Sequence, residues 1–341
     1  MLIWCEKYAK SSLVILKKDN GIHNRFYNKK ETINLDTLMI VAPVLVMIII
    51  GMACDKWQII SQAGVDNIKK FITTIALPVC VFHAVSTATY NKNVVVVLIL
   101  MLIVTVVGFV AGFGLKGMVK EPYRKYFPYL MTIYEGGMMA YPLYQSLMGV
   151  ENMSNIALID VSCGIFAFGV YFGMLTMTDQ GIKPSGKQLA KNAFSSPIFV
   201  ALLVGLLVGV IGIMNSFVST DVGQIYVSVK DMVTAPVSAM ILLCVGYEFK
   251  LEKGNIGVCI KTVIIRFVVQ AIMLVGVLFV AKAFAFEKPM VIGLALYMMT
   301  IPSLCLGSFV KDKEAGKYFS TTSSLYLIVN LVAYVVLAGM V

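Results

Sequence analysis

Stretches of about twenty apolar residues recur along nearly the whole chain, separated by short polar connections. Each is long enough to cross the roughly 30 Å hydrocarbon core of a bilayer. The pattern predicts ten membrane helices, at 36–54, 66–88, 94–115, 127–148, 152–178, 194–214, 231–249, 257–283, 288–310 and 318–340. Only 179–193 and 215–230 are longer connections, and no soluble domain is inserted. The fold class expected is an all-α polytopic membrane protein.

Two of the apolar spans carry the same interrupted phrase. Gly137-Met138-Met139-Ala140-Tyr141-Pro142 lies in span four and Tyr297-Met298-Met299-Thr300-Ile301-Pro302 in span nine. Proline removes a backbone hydrogen bond and breaks a helix, and glycine weakens one by about 1 kcal/mol relative to alanine. Span four should therefore stop near Glu135–Gly137 and restart near Pro142; span nine should break around Thr300–Ser303. Non-helical backbone at membrane depth is tolerated only inside protein or beside water, and such pairs of broken spans point to a binding site.

Other prolines repeat in step. Pro43 and Pro197, Pro78 and Pro236, Pro142 and Pro302 recur at offsets of 154, 158 and 160 residues. Ala76-Leu77-Pro78-Val79 reappears as Thr234-Ala235-Pro236-Val237. The chain reads as two five-helix units, 39–178 and 194–341, joined by a linker at 179–193. An odd number of spans per unit makes the second an inverted copy, with broken helices 4 and 9 crossing. Near span ends, sixteen Lys and Arg fall on one face and four on the other. The basic face is then cytoplasmic and the C-terminus outside, in a plasma (inner) membrane. The seven basic residues within 1–34 break this pattern. Residues 1–38 are expected to be an amphipathic or disordered extension, or to precede a natural start at Met39.

Of all residues, 59% are hydrophobic and 13% charged, against about 45–50% and 25% in soluble domains. The seven cysteines show no C-x-x-C spacing. With two histidines, His23 and His83, no metal site is expected. No H-E-x-x-H, G-x-S-x-G or P-loop occurs, so no catalytic residue, enzyme activity or cofactor is implied.

Ionisable residues inside spans are costly and usually functional. Glu135 sits at the first break, where it would carry a coupling proton or pair with a cation. Arg266 would be its partner or the counter-ion of a substrate, or one half of a structural ion pair. Asp160 is a weaker candidate, with Ser162 and the outer end of the helix bringing it to water. His83 is read as a packing histidine. The substrate-binding set predicted from the breaks is Glu135, Gly136, Gly137, Met138, Tyr141, Pro142, Met299, Thr300, Pro302 and Ser303. In an inverted pair, the N-termini of both second halves point at one centre, each with about half a positive charge, which favours a carboxylate.

At these residues the chain resembles the auxin efflux carrier family, which includes bacterial dicarboxylate permeases and plant PIN-type carriers. Lys191-Asn192-Ala193-Phe194-Ser195-Ser196-Pro197 is similar to that family's K-N-P-x-x-P pattern, and Pro142-Leu143 and Pro302 match its broken spans. Glu135 stands where the family usually has Asn, and Ala140 where it has Gly. The resemblance spans about 39–341. It implies a fold related to bile-acid/sodium symporters, with spans 1, 2, 6 and 7 as scaffold and 3–5 and 8–10 as a moving core. It also implies an elevator-like cycle and a homodimer. The expected function is secondary transport of a small organic anion, a mono- or dicarboxylate, with proton or sodium as coupling ion. Glu135 leaves two alternatives: a carrier of a cationic or neutral solute, and a channel or sensor on the same fold. The partners expected are the bilayer and a small molecule; nucleic acid is not among them.

Overall fold

The computed structural model describes residues 29–182, 185–251 and 253–341. The expectations for residues 1–28 lie outside them. The described residues are helical, with no strand among them. Seven helices are long and apolar enough to cross a membrane. In chain order, α1 is Lys29–Lys56, α2 Gln62–Ser86 and α3 Lys92–Met118. A short α4 covers Tyr141–Met148, and α5 covers Val150–Gln180. Helix α6 is Gly186–Phe194, α7 Pro197–Ile211, α8 Ile213–Val218 and α9 Asp221–Tyr247. Then follow α10, Ile256–Ala283, α11, Lys288–Met298, and α12, Lys313–Ala338.

Of the ten expected spans, the fourth, sixth and ninth are not long continuous helices. Expected span six (194–214) is the 15-residue α7, which ends where Gly212 takes φ +79°; α8 follows at once. The connection expected at 215–230 is itself mostly helix, because α9 starts at Asp221, capped by the Thr220 side chain, and pauses only at Pro236. The linker at 179–193 largely becomes α6. In α2 the missing N–H of Pro78 is absorbed by a π turn over Ile72–Ala76, the usual form of a local bulge in a helix.

Two helix contacts organise the frame, α1 against α9 and α2 against α7, and both are closed by glycine. A Cβ on Gly51 would lie 2.1 Å from the Leu243 carbonyl oxygen, and one on Gly246 would lie 2.0 Å from that of Ile48. A Cβ on Gly209 would meet the Val85 carbonyl at 2.7 Å. Small residues let membrane helices touch backbone to backbone. Gly246→Ala should therefore force α1 and α9 apart, at the about 1–3 kcal/mol typical of overpacking. A lowered melting temperature of the detergent-solubilised protein would register it; an unchanged one would mean that the helices part freely.

Candidate functional site

Residues 127–148 contain a short 3-10 turn, Phe127–Leu130, then non-helical backbone through Glu135. A π turn, Gly136–Ala140, follows and leads into α4, with Pro142 in its first turn. The second break lies after α11: residues 299–303 are non-helical, and Leu304–Phe309 resumes as a 3-10 turn. The two breaks touch. Glu135 N–H donates to the Ile301 carbonyl at 3.0 Å.

The breaks leave two sets of unpaired backbone groups, and one ionisable side chain serves each. The Glu135 carboxylate caps the restarting ends: Oε1 accepts the Met138 N–H at 3.2 Å and Oε2 the Leu304 N–H at 2.7 Å. Ser303 also hydrogen-bonds it. The centre to which both N-termini point is thus filled by the chain's own carboxyl group, and the free anion site expected there is not open.

Arg266 serves the stopping ends. Its Nη1 donates to the carbonyls of Leu130 (2.6 Å) and Thr132 (2.9 Å), and its Nη2 to those of Ile133 (3.2 Å) and Thr300 (3.3 Å). The guanidinium also lies 5.5 Å from the Tyr134 ring centroid and 5.0 Å from that of Tyr326. Neither Glu135 nor Asp160 comes within 4.0 Å of it. Arg266 is therefore not the ion-pair partner of Glu135, a correction with a plain cause: a broken helix end offers a cation as many acceptors as a carboxylate does. One turn along α10, Gln270 takes the Met131 carbonyl at 2.8 Å and accepts the Tyr134 hydroxyl at 2.7 Å. Held between these, Ile133 sits at φ +48°, a left-handed conformation that is strained in a β-branched residue.

Asp160 on α5 is the second carboxylate. The Tyr297 hydroxyl donates to its Oδ1 at 2.5 Å and the Tyr141 hydroxyl to its Oδ2 at 3.1 Å. One tyrosine comes from each interrupted phrase. A Cβ on Gly136 would stand 2.2 Å from Asp160 Oδ1, so only glycine admits the carboxylate beside the first break. Contrary to expectation, Ser162 does not lead Asp160 to water; its hydroxyl donates to the Leu98 carbonyl at 2.6 Å.

A cavity of about 430 Å³ opens against these groups. Of the predicted substrate-binding set, Glu135, Gly136, Gly137, Met138 and Ser303 line it, together with the charge candidate Asp160. Tyr141 reaches the site through Asp160, and Thr300 through the carbonyl it offers Arg266. Pro142 and Pro302 make the breaks without lining the cavity. Met299 instead borders an apolar groove with Phe267, Ile328 and Val332. The opposite wall was not foreseen: Thr73, Thr74 and Leu77 of α2, and Ser195–Ile198 at the start of α7. Only the prolines at 78 and 197 hinted at it. Gly137 brings the walls together, its missing Cβ 2.8 Å from Leu77 Cδ1. His83 is away from the cavity, beside the Tyr226 hydroxyl at 3.3 Å.

Long apolar helices around two touching broken segments, with a cavity against them, fit a multi-pass membrane transport protein. The sequence profile of one family, described as "Membrane transport protein", matches residues 36–341. The chain belongs to that auxin efflux carrier-like membrane transport family. No curated protein matches it.

Proposed function

We propose that the protein is a secondary carrier that moves a small cationic or neutral, hydrogen-bond-donating solute by alternating access. The observation that carries this reading is the charge of the cavity wall. Among the described residues it presents two carboxyl groups, Glu135 and Asp160, and no Lys, Arg or His. An organic anion was the first expectation, founded on free helix N-termini and on Arg266 as counter-ion. Glu135 occupies the former and backbone carbonyls the latter, so an anion would meet like charge in a site of low dielectric. Asp160, held open to the cavity by two tyrosines, is the solute's counter-ion, and it also carries a coupling proton when the solute is absent.

A ten-span inverted repeat is part of the same reading, and a matching pair of helix contacts supports it. Exchanging spans 1 with 6 and 2 with 7 turns the α1–α9 contact into the α7–α2 contact, and both are made through glycine. Helices α1, α2, α7 and α9 form the scaffold of a homodimer; the remaining spans form a core that slides with the solute. The cavity lies between the two and reaches Ser195 and Phe309, next to the Lys-rich face. With that face cytoplasmic in the plasma membrane and the C-terminus outside, this is the inward-facing state.

Counterflow in proteoliposomes tests the reading with matched sets of amines and carboxylates. Amines are expected to exchange, and Asp160→Asn to weaken their uptake by at least about tenfold, the factor equal to 1.4 kcal/mol of binding. Exchange of carboxylates alone would overturn the solute class, and an ohmic current in place of saturable exchange would make the protein a channel.

A further inference from the structure

Helix α12 carries Tyr318, Thr322, Tyr326, Asn330 and Tyr334, a polar side chain every fourth residue and hence along one face. All five are fully buried. Helix α10 presents Thr262, Arg266 and Gln270 at the same spacing, also buried. The two rows meet. Thr262 and Tyr318 share a hydroxyl–hydroxyl bond of 2.6 Å, and the Arg266 guanidinium lies against the Tyr326 ring. At 1.5 Å per residue the α12 row is about 24 Å long, most of the thickness of the hydrocarbon core. At its far end Tyr334 bonds Ser146 at 2.6 Å and the Ile40 carbonyl at 3.1 Å.

Polar side chains between membrane helices ordinarily bond one another. Along this seam they fall short. Among the described residues, Asn255 Nδ2, Arg266 Nε and both amide atoms of Asn330 are buried without a close hydrogen-bond partner in the protein, and the hydroxyls of Thr322 and Tyr326 have only the weaker bonds that Cys259 and Arg266 offer them. All belong to this seam; Asn255 joins it through Cys259, whose Sγ lies 3.6 Å from Asn255 Oδ1 and 3.9 Å from the Tyr318 carbonyl. Arg266 shows the shortfall most clearly. A guanidinium has five N–H donors; the backbone carbonyls of the two breaks take four of its bonds through Nη1 and Nη2, and Nε is left over.

We infer that the α10–α12 seam binds a file of ordered water molecules, separate from the solute cavity and behind the crossing. Water is the ligand whose chemistry fits, because the seam needs an acceptor at Arg266 Nε, a donor and an acceptor at Asn330, and either at the two hydroxyls. Buried polar atoms that lack protein partners are normally completed by ordered water. The file gives the buried arginine its fifth partner and lies within the proposed core, none of its residues lining the cavity. It does not depend on which solute is carried.

Radiolytic hydroxyl labelling in ¹⁸O water, read by mass spectrometry on the protein in nanodiscs, tests this directly. Tyr326 and Cys259 are expected to take up label several-fold faster than Tyr171, which is equally buried but off the seam. Asn330→Leu should slow labelling at Tyr326 without raising the melting temperature. Labelling of Tyr326 no faster than that of Tyr171 would overturn the inference, and that comparison needs only the wild-type protein. So would a higher melting temperature in Asn330→Leu, the response of a dry, unsatisfied amide relieved by an apolar side chain.

Discussion

Replacing Arg266 with methionine should abolish the assembled protein, the largest effect expected of any single substitution here. Four carbonyl oxygens, from Leu130, Thr132, Ile133 and Thr300, would lose their donors together. Each buried acceptor left unpaired costs about 1–3 kcal/mol. Four amount to roughly 4–12 kcal/mol, against a total stability of about 5–15 kcal/mol. Lipid offers those carbonyls no donor in exchange. Thr300 lies in one break and the other three in its partner, so the loss also unfastens one broken segment from the other. Arg266→Lys should fall between the two, since an ammonium is a point donor and cannot fork to four oxygens as a guanidinium does. Monodisperse protein recovered from membranes, and its melting temperature, would rank the three. Wild-type behaviour of Arg266→Met would show that the two broken segments hold together without their cation.

How much of this was legible in the sequence differs from residue to residue. The breaks were, because Pro142, Pro302 and the paired glycines carry their own backbone chemistry wherever they stand. Glu135 was found for the same reason, as a charge written into a break. The partners of Arg266 were not legible. A charge in an apolar span is read as seeking an opposite charge, whereas its acceptors are carbonyls from residues 130–133 and 300, and a carbonyl has no letter. Asp160 was underrated although a signal existed: the interrupted phrases contain Tyr141 and Tyr297, the two residues whose hydroxyls it accepts. The α12 row is visible as five polar residues at a spacing of four, passed over because none is charged. The far wall of the cavity could not be read at all. Thr73, Thr74 and Ser195 are ordinary span-end residues until folding sets them opposite Glu135. The helix in 221–230 was missed by requiring an apolar run; Val222, Ile225 and Val229 carry a one-sided pattern that marks an amphipathic start to α9.

Glu135→Gln should leave the protein assembled but cut transport by about tenfold or more at every pH, relative to wild type at equal protein. The substitution keeps the size of the side chain, so α4 and α11 stay packed. What changes is the cap. A carboxylate accepts one N–H on each oxygen, here from Met138 and Leu304, whereas an amide has one accepting oxygen and turns an NH₂ group toward the other N–H. Removing the negative charge also strips the two restarting ends of the anion that balances their dipoles, each contact being worth about 0.3–1 kcal/mol at an exposed helix end and up to about 2 kcal/mol when partly buried. A loosened Leu304 would move Ser303, and with it the cavity wall. Glu135→Asn, which restores the residue common at this place in the family pattern, shortens the side chain by one methylene and still offers only one accepting oxygen. It should therefore fail like Gln unless the cavity tolerates a neutral cap. If both variants move the solute at the wild-type rate across the pH range, transport needs neither the cap nor the charge of Glu135, and Asp160 alone gives the site its charge. If uptake falls only above or below a particular pH, and Asp160→Asn does not share that profile, the coupling proton resides on Glu135.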